Sequence, residues 1–210
     1  MKKKITIDIL MFILMLLEFS RMYMEPIYHE IIGIILLILF IIHLILNMQY
    51  IKNIQKGKYN LKRTIMLIVN ILFMITFSLS LLFGILSSQN LLTFMNINNM
   101  NIIKLHKMFS YISLVIMGIH LGINFNAMFG KISKIIKNDI VLYIISIIII
   151  GFGIYSAIDI DLLNHITGTY GFSTITGNLF INTLEYFSII IMITIITNFI
   201  YKRIEDRNER

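Results

Sequence analysis

The chain has 210 residues, of which 58% are hydrophobic and 14% charged, and it contains no cysteine. That composition excludes a soluble surface, and the lack of thiols excludes disulfides, thiolate metal sites, iron–sulfur clusters and thioether-attached haem. The net charge of +7 is carried by short loops between apolar runs, so it reads as membrane topology and not as a nucleic-acid surface.

The apolar runs match about 30 Å of hydrocarbon at about 1.5 Å per helical residue. They predict an all-α integral membrane bundle of about six transmembrane helices, forming a single domain over 1–210. The first helix, about 5–24, follows the basic start Met1–Lys4. A small-residue cleavage site is missing and Asp8, Glu18 and Arg21 interrupt the run, so a retained helix is expected and not a secretory signal. Glu25–Pro26 marks a tight turn into the second helix, about 29–50, where the lone proline interrupts no hydrogen-bond ladder. The third helix is expected at 64–87, the fourth at 106–128, the fifth at 139–158 and the sixth at 177–201. Residues 5–128 are expected to form a four-helix core and 139–201 two additional helices. The Asn-rich loop Ser87–Leu105 and the Thr- and Gly-rich loop Asp159–Thr176 are too short to be folded domains. No GxGxxG or phosphate loop is present, which leaves no place for a soluble nicotinamide or flavin domain.

Orientation follows from the Lys and Arg distribution. With the N-terminus in the cytoplasm, the termini and the segments around 52–63 and 131–137 put 15 basic residues inside, leaving Arg21, Lys104 and Lys107 outside. The expectation is a multi-pass protein of the cytoplasmic membrane with both termini cytoplasmic.

The histidines form a repeat. The second helix carries His29 and His43-Leu-Ile-Leu-Asn47, and the fourth carries His106 and His120-Leu-Gly-Ile-Asn124, each an H-x13-H-x3-N pattern. Fourteen residues advance about 21 Å and return to within about 40° of the same helix face. The two helices run in the same direction, so His29 is expected level with His106 near the outer face, and His43 with His120 near the inner face. Two facing imidazoles at one depth are what a six-coordinate haem iron takes from protein, and two such levels predict two stacked haem b groups. A single intramembrane histidine is also explained as an interhelical hydrogen-bonding group; the repetition of the pair, with matching Asn, favours metal ligation. The methionines read as core or lipid-facing filler and not as axial ligands.

Around these histidines, Arg21 and Lys107 are candidates to hold outer propionates. Gly33, Gly118 and Gly122 fit either close approach of a flat macrocycle or ordinary small-residue helix packing. Asn47 and Asn124 fit a hydrogen bond to a ligand ring or to a neighbouring helix. Glu18 and Glu185 are candidates for proton handling at an outer quinone site, with an Arg21 ion pair as the plainer role for Glu18. His165 reads as a solvated residue of the outer loop.

At His29-Glu30-x2-Gly33, His43-x3-Asn47, Gly84-Ile-Leu-Ser-Ser88, His106-Lys107 and Ile119-His120-Leu-Gly-Ile-Asn124 the sequence resembles the flavinylation-associated cytochromes. The resemblance covers about 5–128 and extends more loosely to ferric-reductase and cytochrome b membrane domains. It implies a membrane electron-transfer subunit, and not a self-contained enzyme, passing electrons from quinol or a cytoplasmic donor to an extracytosolic flavin-carrying or other redox protein. Thr167-Gly-Thr-Tyr and Thr176-Gly do not form a flavin-attachment motif, so FMN is expected only on a partner protein. Two other classes compete with an electron conduit: an ion or solute transporter whose His and Glu line a polar path, and a cofactor-free partner subunit. Transporters favour broken helices, whereas here the histidine pairs lie in uninterrupted runs.

Overall fold

The computed structural model describes residues 2–124, 139–169 and 178–208, and all regular structure among them is helical. Helix α1 (Lys2–Phe19) ends where Ser20 bonds back to Leu17 O and a 3₁₀ turn, Arg21–Tyr23, begins. Pro26 opens α2 (Pro26–Leu46) at its first position, where a missing N–H leaves no acceptor unmet. The short α3 (Met48–Lys52) follows directly. Asn60 caps α4 (Leu61–Leu86) by accepting from Arg63 N at 2.9 Å. The Arg63 guanidinium reaches Asn53 O at 2.8 Å, beside the end of α3, and so ties the 53–60 connection. Helix α5 spans Met100–Asn124, α6 Asp139–Asp159, α7 Leu162–Thr167 and α8 Leu179–Asn208.

Five helices are long and apolar enough to cross a bilayer: α2, α4, α5, α6 and α8. The chain is thus a multi-pass helical membrane protein. The expected first span is a helix of 18 residues whose sequence includes Lys2, Lys3, Lys4, Asp8 and Glu18, and length and composition alone do not place it among the five. Its end comes at Phe19 and not near residue 24, because the 3₁₀ turn takes over. Helix α5 starts at Met100, six residues before the expected 106, since Asn99 Oδ1 accepts from Asn101 N at 2.8 Å and launches the helix early. The expected stretch 125–128 and the basic segment 131–137 lie outside the described residues, as do 170–177 of the outer loop.

The helices close a ring in the order α8, α5, α4, α2, α1 and back to α8, with α6 packed outside on α8. Leu114 of α5 and Ile189 and Ile190 of α8 are fully buried at its centre. Many isoleucines and leucines point outward, including Ile140, Ile147 and Ile148 of α6, while Ser20, Ser113, Ser156 and Thr194 are buried. That inversion of a soluble protein suits a lipid solvent, where small polar residues let helices approach and find partners inside. Ser113 bonds Phe109 O in its own helix, Ser188 bonds Ser156 across α6 and α8, and Tyr111 meets Tyr186 at 2.8 Å.

Candidate cofactor site

Three helices turn polar stripes toward one another within the ring. On α2 the stripe is His29, Gly33, Leu36, Phe40, His43 and Asn47, and on α5 it is His106, Ser110, Ser113, Met117, His120 and Asn124. Between them α4 offers Asn70, Phe73, Phe77, Ser80 and Gly84. Each set follows the three-and-four spacing that keeps side chains on one helix face.

At one level the rings of His29 and His106 face each other with centroids 6.0 Å apart and planes at 74°. His43 and His120 lie on the same faces of α2 and α5 as His29 and His106, about 21 Å further along each helix. Between the levels an aromatic stack runs from Phe40 to Phe77 (5.1 Å), Phe77 to Phe73 (5.8 Å) and Phe73 to His120 (5.7 Å).

Every histidine of the four has its Nδ1 against an oxygen. His29 Nδ1 lies 2.9 Å from Glu18 Oε2 and His43 Nδ1 lies 2.7 Å from Asp8 Oδ1. His106 Nδ1 donates to Ser80 O at 2.8 Å, and His120 Nδ1 donates to Asn70 Oδ1 at 2.8 Å. At His106 and His120 the Nδ1–H donates to an oxygen that only accepts, which sets the tautomer and leaves the lone pair on Nε2, whereas His29 Nδ1 touches Glu18 at ion-pair distance without a hydrogen bond. Among the described residues no hydrogen bond occupies Nε2 of His29, His106 or His120, while Asn47 Nδ2 stands 3.3 Å from His43 Nε2.

The neighbouring residues divide. Asn47 and Asn124 each donate to the backbone carbonyl of the histidine four residues earlier, at 2.9 and 2.8 Å, so the repeated x3-N is a local helix contact. Asn47 in addition accepts from Lys4 Nζ at 3.2 Å. Gly118 and Gly122 pack against α8: an added Cβ would meet Ile193 at 2.8 Å and Thr197 at 2.6 Å. Helix packing accounts for both. Gly33 faces Glu18, with its missing Cβ 3.8 Å from Oε2.

Arg21 and Lys107 are close enough to His106 to act on it through their charges. Glu18 reaches His29 and is influenced by Arg21 only through charge, because α1 has ended before Arg21 and the helical three-residue pairing is lost. Glu185 takes a hydrogen bond from Asn182 of its own helix at 3.2 Å. His165 is buried, not solvated: Asp161 at φ 55° and Gly168 at φ 69° bound α7, which lays the imidazole flat on Tyr111 at 4.3 Å and 5°.

Asp8, Asn70 and Ser80 touch the histidines and were not singled out from the sequence, while Gly84 entered only within the motif Gly84-Ile-Leu-Ser-Ser88. Asn70, Ser80 and Gly84 share a three-and-four spacing, but nothing in the sequence of α4 marks that face as the inward one. Among the described residues no cluster of three or more His, Cys, Asp or Glu exists, so the three or four protein ligands of a zinc site are not found there.

The class that these elements define is a multi-pass helical membrane protein with two levels of paired or neighbouring histidines. No family model, curated protein or solved structure matches the chain.

Proposed function

We propose that the chain is a b-type cytochrome of the cytoplasmic membrane that carries electrons across the bilayer through two haems. His29 and His106 would hold the outer one, His43 and His120 the inner. In this reading α1 is a sixth span and both termini are cytoplasmic. Electrons enter from quinol or a cytoplasmic donor and leave to an extracytosolic protein bearing FMN.

The observation that carries the reading is the oxygen that stands against Nδ1 of each of the four imidazoles. His43, His106 and His120 make hydrogen bonds there and His29 an ion-pair contact at 2.9 Å, which resembles the way metal-binding histidines are oriented for ligation through Nε2. The 6.0 Å between the His29 and His106 centroids agrees with two rings sharing one metal atom at about 2 Å from each nitrogen. Haem iron, when bound, supplies a one-electron ferric–ferrous couple at each level. The chain's own residues do the rest. Gly84 leaves room for the His106 ring, Phe40, Phe73 and Phe77 keep water from the space between the levels, and Arg21 and Lys107 provide positive charge at the outer one.

The test is haem content after haem-replete expression, read as the pyridine haemochrome. Two haem b per chain are expected, falling to one in His29→Ala or His106→Ala, and to the other one in His43→Ala or His120→Ala. A wild-type chain with no extractable haem overturns the proposal and leaves a transporter or cofactor-free subunit as the better reading.

A further inference from the structure

The four Nδ1 acceptors differ in charge, and they differ by helix. Both histidines of α2 face carboxylates from α1, Glu18 and Asp8. Both histidines of α5 face neutral oxygens from α4, the Ser80 carbonyl and the Asn70 amide. We propose that Glu18 and Asp8 are positioning residues that hold down the reduction potentials of the two haems by making each α2 histidine a stronger electron donor than its α5 partner. This rests on the cytochrome reading above.

The physical chain is short. A carboxylate on an imidazole N–H draws that proton toward itself and raises the basicity of the opposite nitrogen. A more basic ligand stabilises ferric over ferrous iron, which lowers the potential. A neutral carbonyl does the same more weakly, because hydrogen bonds to charged acceptors are the stronger ones. Each haem would thus be held by one strengthened and one ordinary ligand.

The two carboxylates do not weigh equally. The Glu18 side chain is 16% exposed and that of Asp8 48%, so Glu18 is the more closely enclosed by the protein. Glu18 Oε1 and His29 Nδ1 are both buried without a hydrogen-bond partner, so across their 2.9 Å contact the carboxylate acts on the ring through its charge. A ferric haem between neutral imidazoles carries net positive charge and would balance it. Arg21 and Lys107 oppose part of this effect at the outer level, yet both act at greater range than the 2.9 Å contact.

The experiment is a spectroelectrochemical titration of the purified, haem-loaded chain alongside Glu18→Gln and Asp8→Asn in the same detergent. Two haems are expected in all three. Glu18→Gln should raise one midpoint enough to favour reduction at least tenfold, which is about 59 mV for a one-electron couple; Asp8→Asn should raise the other by less. Asn70→Asp places a carboxylate on His120 and should lower the inner midpoint, and it decides the matter if Glu18→Gln loses its haem. Midpoints that stay put in Glu18→Gln and Asp8→Asn with both haems retained, or an unmoved inner midpoint in Asn70→Asp, overturn the assignment while leaving the cytochrome intact. A wild type without haem overturns both.

Discussion

Gly84 of α4 and His106 of α5 fit each other so closely that a methyl group on the glycine would stand 3.0 Å from the imidazole Cε1 and 3.1 Å from Nδ1. The ring cannot retreat without giving up its 2.8 Å bond to Ser80 O, one turn earlier on the same helix. Gly84→Val should therefore displace His106 and, on the cytochrome reading proposed above, remove most of the outer haem while the inner one remains. Haem per chain and the reduced-minus-oxidised spectrum read this directly. Gly84→Ala needs a shift of only a few tenths of an ångström and should be milder.

Glu30 lies next to His29 but points away from it. Its carboxylate accepts from Ser88 Oγ at 2.7 Å and from the backbone N–H groups of Gln89, Asn90 and Leu91 at 2.8, 3.0 and 2.7 Å. One anion thereby gathers the turn that follows α4 onto the start of α2, above the outer histidines. Hydrogen bonds to a charged group are worth about 1.5–3 kcal/mol each where solvent is excluded, and less at this partly exposed end. Glu30→Ala should lower stability by roughly 2 kcal/mol, seen as a lower apparent Tm in detergent, with Glu30→Gln in between.

Gly118 and Gly122 set the approach of α5 to α8. Thr194 Oγ1 donates to Gly118 O at 3.1 Å and Asn198 Nδ2 to Gly122 O at 3.2 Å, across a contact with no room for a side chain at either glycine. At Gly122 an added Cβ would meet backbone, Thr194 O at 2.8 Å, so a helix must move. Gly122→Ala is expected to cost about 1–3 kcal/mol and to leave haem stoichiometry at two. Selective loss of the inner haem at unchanged Tm would instead make the glycine a seat for the macrocycle.

His165, outside the spanning helices, links stability to pH. Burial, aided by the charge of Lys107 and opposed by Asp161, pushes its imidazole pKa below the ordinary range. A histidine depressed in the folded state binds fewer protons folded than unfolded, so its contribution is fully present above the unfolded pKa of about 6.5. It is lost as pH falls from there through the folded value. The apparent Tm should drop as pH is lowered from 7.5 to 5, and His165→Phe, which keeps an aromatic ring on Tyr111, should drop less. Parallel curves for the two proteins would rule the linkage out.

The meeting of His29 with His106, 6.0 Å apart, was legible because a repeat on two helices carries its own geometry: equal spacing on helices that run the same way puts equal depths opposite each other. What supports the histidines was not legible. Asp8 reads in sequence only as a charge interrupting an apolar run, and its role appears when α1 is laid antiparallel on α2 so that residues 4, 8 and 18 meet 47, 43 and 29. Asn70, Ser80 and Gly84 sit in a helix whose surroundings are Ile, Leu, Phe and Met on every side, and a helix apolar all round gives no sign of which face turns inward. His165 was misread for a different reason. Its burial depends on two left-handed residues that fold a six-residue helix back onto α5, and loops of that kind carry no periodic signal.

The pairing of α1 with α2 bears on how the chain enters the membrane. Each charge left facing lipid in mid-bilayer costs about 2.5–3.5 kcal/mol, and α1 brings Asp8 and Glu18 into a helix with little apolar surplus. Folded back at Glu25–Pro26, it meets Asn47, His43 and His29 with Lys4, Asp8 and Glu18 in turn. On the six-span reading proposed above, the favourable unit of insertion is a hairpin of residues 2–46, which brings these charges in already paired, so that α1 enters as the companion of α2 and not as an independent anchor.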